Sequence, residues 1–171
     1  IDSSTAPGNR TLYAAVYNKG IYKSVDDGKT WQLKNNGIEA NTCVFNISIA
    51  ANGTLFITVA PTPEHADGKK GMAYYSGAVY RSTNGGNSWQ PLNVTSHPFF
   101  PVNITTDPGN SNTIYLACWA SIDLSDLVGG DITKANGGNT MIPMNGGIFR
   151  SVDGGNTWSS IFDKNQYVYA V

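Results

Sequence analysis

The chain has 171 residues, a net charge of −1, and 40% hydrophobic against 13% charged residues. That length supports one domain with its own core, and the near-neutral charge gives no electrostatic footprint for nucleic acid. No apolar run is long enough to cross a bilayer, so no membrane insertion is expected, and the sequence assigns no cofactor and no metal site.

Taken in chain order, short bursts of aromatic and β-branched residues alternate with Gly- and Asn-rich turns, which predicts an all-β fold. Residues 1–34 read as a first unit that lacks most of its inner strand. Residues 43–93 read as a complete second unit, with strands at 44–50, 54–60, 78–82 and 88–92. Residues 101–162 read as a third, with strands at 102–106, 113–119, 147–151 and 157–162. Residues 167–171, "YVYAV", read as the start of a fourth. A four-stranded antiparallel unit repeated at this scale is a propeller blade. The expectation is a single partial β-propeller of about three blades over 1–171, part of a larger propeller.

Each unit carries one octet between its third and fourth strands: "SVDDGKTW", "STNGGNSW" and "SVDGGNTW". Ser24, Asp26, Gly28 and Trp31 hold the same places as Ser82, Asn84, Gly86 and Trp89, and as Ser151, Asp153, Gly155 and Trp158. The third-position carboxylate or amide can close an Asx-type turn on nearby backbone N–H groups. The fifth-position Gly supplies a positive φ. The Trp opens the fourth strand and offers a large apolar face. Asn84 keeps the turn chemistry without the charge. These twelve residues are read as structural.

The octets resemble the Asp-box, or BNR, repeat, and each follows an aromatic and a basic residue: Tyr22-Lys23, Tyr80-Arg81 and Phe149-Arg150. Such boxes occur in sialidases, xyloglucanase-type glycoside hydrolases, sortilin-type receptors and a photosystem assembly factor. The resemblance implies a β-propeller and not by itself a function. Closed propellers have roughly four to eight blades. Either this chain belongs with the remaining blades of a longer propeller, the favoured reading, or a second copy completes it and two chains make six.

In a four-stranded blade the octets share one rim, and the connections between strands two and three share the other. The latter are unequal: a tight "NKG" turn, then 61–77, then 120–146. Long loops without their own structure are usually functional or disordered. With the linker 93–101 they could wall a groove. Tyr74, Tyr75, Phe99, Phe100 and Trp119 are its candidates for stacking on sugar rings, and Glu64, Asp67, Asp123, Asp126 and Asp131 are its acids. A glycosidase needs two carboxyls about 5–5.5 Å or about 6.5–9.5 Å apart, and no residue matches a catalytic pair by motif, so none is assigned. "EHAD" lacks zinc spacing and "DLSDLVGGD" lacks that of an EF-hand.

Sialidases grip a carboxylate with three arginines, whereas this chain holds Arg10, Arg81 and Arg150, the last two at equivalent strand positions. Sialidase activity is therefore not expected. Two readings remain. One is a secreted, periplasmic or cell-surface carbohydrate-active propeller that resembles a xyloglucanase-like glycoside hydrolase, with polysaccharide as its partner. The other is a non-catalytic propeller that binds protein or glycan as a receptor or scaffold. Cys43 and Cys118 are read as a disulfide or as two small buried apolar groups. Asn9, Asn46, Asn52, Asn93 and Asn103 start glycosylation sequons, of which Asn46 and Asn103 fall inside predicted strands.

Overall fold

The computed structural model describes residues 1–2, 4–38, 43–60, 77–94, 100–119, 121–122, 143–144, 146–163 and 168–171. Among them every regular element is a strand. The first sheet holds β1 (Leu12–Val16), β2 (Gly20–Ser24) and β3 (Gln32–Leu33) in that order. The second holds β4 (Cys43–Ile49), β5 (Leu55–Ala60), β6 (Ala78–Ser82) and β7 (Gln90–Leu92). The third begins with β8 (Phe100–Asp107) and β9 (Asn110–Trp119). A small ladder follows, β10 (Ser121–Ile122) against β11 (Pro143–Met144), before the third sheet is completed by β12 (Gly147–Ser151) and β13 (Ser159–Asp163). All pairings are antiparallel, and β4 contacts β1 on one side and β8 on the other. This is the arc of three propeller blades that the repeats predict.

The core lies between the blades. Successive side chains of a strand point to opposite faces, so β5 divides its residues between two neighbours. Leu55, Ile57 and Val59 join Ile21, Val44 and Trp89 against the first blade. Phe56 joins Val79, Ile104, Ile114, Leu116 and Cys118 against the third. Both faces of β5 are covered, which is why it reads as an apolar run interrupted at Thr58 alone, itself buried, rather than as an alternating one. Removing a buried ring such as Phe56 costs about 3–5 kcal/mol.

Inside each octet the serine hydroxyl organises the turn. Ser24 Oγ donates to Asp26 Oδ1 at 2.7 Å and accepts from Gly28 N at 2.8 Å. Asp26 Oδ1 also accepts Thr30 N at 2.9 Å, and Oδ2 accepts the Thr30 hydroxyl at 2.7 Å. The third octet repeats this, with Ser151 bonded to Asp153 and Gly155, and Asp153 to both groups of Thr157. In the middle octet Asn84 Oδ1 accepts Ser88 N at 2.9 Å, but its Nδ2 donates to Ser88 Oγ at 2.8 Å, so the side-chain bond reverses direction. Two positive-φ residues in succession make the turn: Asp27 and Gly28, Gly85 and Gly86, Gly154 and Gly155.

The tryptophans depart from the uniform reading. None opens a fourth strand; β3, β7 and β13 each begin one residue later. Trp31 and Trp158 close their indole N–H groups onto Gly28 O and Gly155 O of their own turns, both at 3.0 Å. Trp89 instead donates to Lys34 O at 2.8 Å and leans on the first blade, where it is 3% exposed against 41% for Trp31.

The basic residue before the first octet and the one before the second each reach forward to the next octet. Lys23 Nζ donates to Gly85 O at 3.1 Å, joined there by the Tyr13 hydroxyl at 3.2 Å. Arg81 Nη1 donates to Gly154 O at 2.8 Å and to Asn156 Oδ1 at 3.1 Å. Arg81 is thus a blade-to-blade clamp. The sequon Asn46 is another: its Oδ1 accepts Ile104 N at 3.3 Å, beside a Ser48–Thr106 hydroxyl contact of 3.2 Å. At the matching place Asn103 Oδ1 accepts Val171 N at 3.4 Å, and Val168 N donates to Cys118 O at 3.3 Å. Residues 168–171 therefore lie beside the third blade as an inner strand would, without strand pairing of their own. At the other end, Asp2 N donates to Thr11 O at 2.9 Å, as Ala50 N does to Thr54 O. Cys43 and Cys118 are both free and buried, so no disulfide joins them.

The hydroxyl and amide bonds from Thr30 and Thr157 hold the Asp26 and Asp153 carboxyls at about 2, below the usual 3.8. A carboxyl held low in the fold adds stability that is present above its unfolded value and is lost as pH falls through its folded value. Stability should therefore drop between about pH 4 and pH 2 at these two turns, while the Asn84 turn is silent. Urea unfolding of the Asp26→Asn/Asp153→Asn variant at pH 6 and pH 2 checks this: the loss across that range should shrink relative to the wild type.

Candidate functional site

The strand register separates two rims. β6 leaves the 61–77 connection at Ala78 and enters its octet after Ser82, so the octets and the long connections emerge from opposite ends. β12 runs the same way between 120–146 and its own octet. The rim opposite the octets is formed by the starts of β4 and β8 and the ends of β5 and β9, where Cys43 faces Ala60 and Phe100 faces Trp119.

Aromatic rings run along that rim. Phe45 stands edge-on to Phe100 at 5.8 Å, Phe100 lies tilted against Trp119 at 5.1 Å, and Trp119 meets Tyr169 edge-on at 5.2 Å. Phe45 is the extra residue of a bulge in β4, between Val44 and Asn46, which turns its ring outward to 44% exposure. Tyr17, one residue beyond β1, holds the place that Trp119 holds at the end of β9; it is exposed and bonded to Cys43. Cys43 Sγ itself donates to Asn18 Oδ1 at 2.7 Å, fixing the tight first turn against β4. A row of ring faces with one exposed edge is a surface for flat, partly apolar groups.

Of the nine candidates read from sequence, Phe100 and Trp119 are described, and the structure brings them into direct contact. Tyr74, Tyr75, Phe99, Glu64, Asp67, Asp123 and Asp126, with Asp131, lie outside the described residues. Three rim aromatics escaped the sequence reading: Tyr17, Phe45 and Tyr169. Stacking the repeats on their second strands would have exposed Tyr17 as the counterpart of Trp119. Asp26, Asp27 and Asp153 sit in octets, and Asp2 and Asp107 in strand turns at that same end. Asp163, at the end of β13 opposite Gly147, is the described acid whose backbone reaches the aromatic rim. The described part of the rim can therefore hold a ring, and it offers no carboxyl pair for bond cleavage.

The 120–146 connection is not wholly irregular. The β10–β11 ladder, a two-stranded sheet of its own, gives it a paired stem. Two of the three arginines of the sialidase comparison have places in the repeat: Arg81 clamps Gly154, and Arg150 occupies the matching position one blade on.

No protein-family model matches the chain. It is 30% identical to the xyloglucanase Xgh74A of Acetivibrio thermocellus over 171 residues, 96% of this chain and 18% of that protein. The GH74 enzyme of Niastella koreensis superposes with a TM-score of 0.63 at 22% identity, covering 95% of this chain and 21% of the other. An ancestral GH74 enzyme gives 0.58 at 26% identity, with 97% and 19% covered. The chain is similar to a stretch of a GH74 xyloglucanase. It spans about a fifth of the length of these three proteins.

The hydrogen bond to Cys43 raises the Tyr17 phenol above its usual 10.0. Cys43→Ala should bring that value back toward 10.0, read by NMR titration of the Tyr17 ring. An unchanged Tyr17 titration would separate Tyr17 from the β4 start.

Proposed function

We propose that this chain is a propeller arc of a xyloglucanase-like glycoside hydrolase acting outside the producing cell, and that its aromatic rim carries part of the polysaccharide-binding groove. On this reading the octets are Asp-boxes that leave the opposite rim free for substrate. The observation that carries the proposal is the row Phe45, Phe100, Trp119 and Tyr169, spaced at 5.1–5.8 Å from ring to ring, on the rim where the long connections leave. Pyranose rings present apolar C–H faces that pair with aromatic faces and edges. The similarity to a GH74 xyloglucanase supplies the ligand class.

Phe100 and Trp119, with Tyr17, Phe45 and Tyr169, form the proposed stacking surface. Tyr74, Tyr75 and Phe99 are proposed to add to it from the connections. Glu64, Asp67, Asp123 and Asp126 are proposed polar contacts to sugar hydroxyls. No catalytic residue is assigned. A second reading, glycan binding without cleavage, is favoured by one observation: the described acids other than Asp163 gather at the octet rim.

Titration of the full chain with xyloglucan oligosaccharides, read by calorimetry and by reducing-end release, tests both. Binding should weaken by about tenfold in Phe45→Ala or Trp119→Ala, a loss of about 1.4 kcal/mol. Binding without reducing-end release selects the second reading. Unchanged affinity in folded variants removes the aromatic row from the site.

A further inference from the structure

The middle octet differs from its neighbours at a residue that can react with its own backbone. Asn84 is followed by Gly85, which has no Cβ to keep its amide nitrogen from the side-chain carbonyl one residue back. Three of the chain's Asn-Gly pairs begin in described residues, at Asn36, Asn52 and Asn84, and all three asparagines are exposed. They differ in what holds the two groups that would combine, the side-chain carbonyl and the following N–H.

At Asn84 both groups are set up to react. Its Oδ1 accepts the Ser82 hydroxyl and the Ser88 N–H, both at 2.9 Å. Two donors thus already face the oxygen on which negative charge grows when the carbonyl carbon is attacked. Gly85 N has no hydrogen-bond partner among the described residues. Its counterparts are occupied: Asp27 N donates to Arg10 O at 3.3 Å, and Gly154 N to Asn112 O at 3.0 Å. Asn84 O, in the same peptide group as Gly85 N, accepts Asn87 Nδ2 at 2.8 Å, which favours loss of the amide proton. The other two pairs each lack one of these features. Gly53 N is held by Ala50 O at 2.8 Å, and Asn36 uses its Nδ2 on Asn87 O while its Oδ1 accepts no hydrogen bond among the described residues.

We propose that Asn84 is a self-modification site, an asparagine that its own turn converts to an acid. Gly85 N bonds to Asn84 Cγ as the Cγ–Nδ2 bond breaks, and the amide leaves as ammonia with the Gly85 proton. A cyclic imide remains. Water adding at Cγ opens it to aspartate, and water adding at the backbone carbonyl opens it to isoaspartate. In both cases a proton returns to Gly85 N and nothing is oxidised or reduced. Aspartate gives the middle octet the carboxylate of Asp26 and Asp153, with the Ser88 hydroxyl turning to donate as those of Thr30 and Thr157 do. Isoaspartate lengthens the main chain between Ser82 and Gly86, whose hydroxyl–amide bond closes the turn, and moves the Gly85 carbonyl off Lys23. The same reaction therefore either completes the staple or releases the joint between the first two blades.

Ageing the full chain at mildly alkaline pH, with each site followed by peptide mapping and mass spectrometry, tests this. Asn84 should convert at least about tenfold faster than Asn36 or Asn52. In urea, where the turn is lost, the three rates should converge. Ser82→Ala, which takes one donor from Oδ1, should slow the conversion at Asn84, with circular dichroism as the check on folding. An Asn84 that stays intact in the folded chain while Asn36 or Asn52 converts, a lead over them that persists in urea, or a folded Ser82→Ala that converts as fast as the wild type would overturn the proposal.

Discussion

The arrangement depends on one contact made twice along the arc: a cation ahead of one octet bonded to a turn carbonyl of the next. Lys23 to Gly85 and Arg81 to Gly154 are the two instances. A backbone carbonyl can serve as a fixed acceptor only if its turn is rigid. Rigidity comes from the serine hydroxyl, which ties the third and fifth residues together, and from two consecutive positive-φ residues that no regular strand would tolerate. Ser24, Ser82 and Ser151 are at most 2% exposed, so their hydroxyl bonds work away from competing water. The octet is thus a staple within its own blade and a docking point for the blade before it.

Because the staples gather at one rim, the other is free to vary. There the first blade closes in a tight turn at Asn18 and Lys19, while the third sends out a connection with its own paired stem. The aromatic row follows from that freedom. Positions equivalent by register carry Tyr17, Ala60 and Trp119 at the end of strand two, so the rim side chain is replaced from blade to blade while the octet is kept. The core between blades is what stays constant: Ile21 and Val79 occupy the same place in successive blades and are both fully buried.

The octets were legible because their chemistry is local. Ser, Asp or Asn, Gly and Trp act within eight residues, so spacing alone predicts the turn, the strands that flank it and the rim they share. Features set by pairing across the sheet were not legible. The bulge that presents Phe45 depends on how β4 registers against β5, and nothing in "CVFNIS" announces it. The blade-bridging roles of Asn46 and Asn103 were hidden for the same reason, since their partners lie in the next inner segment. Trp89 differs from Trp31 and Trp158 because residues 34–38 of the first blade pass over it, bonding Lys34 O to its indole and Asn36 O to its backbone N–H. Of the candidate site, the rim was read from loop lengths and Phe100 with Trp119 from residue type. Tyr17, Phe45 and Tyr169 needed the three-dimensional placement of strand ends.

The most direct measurement of the account is a double-mutant cycle between Arg81→Met and Ser151→Ala, with stability read by urea unfolding. If the Ser151 staple holds the Gly154 carbonyl in place for Arg81, the two substitutions share one interaction. The loss from Arg81→Met should then shrink by about 1 kcal/mol once Ser151 is gone. Strictly additive losses would mean that blade docking and turn rigidity are independent, and would contradict the account.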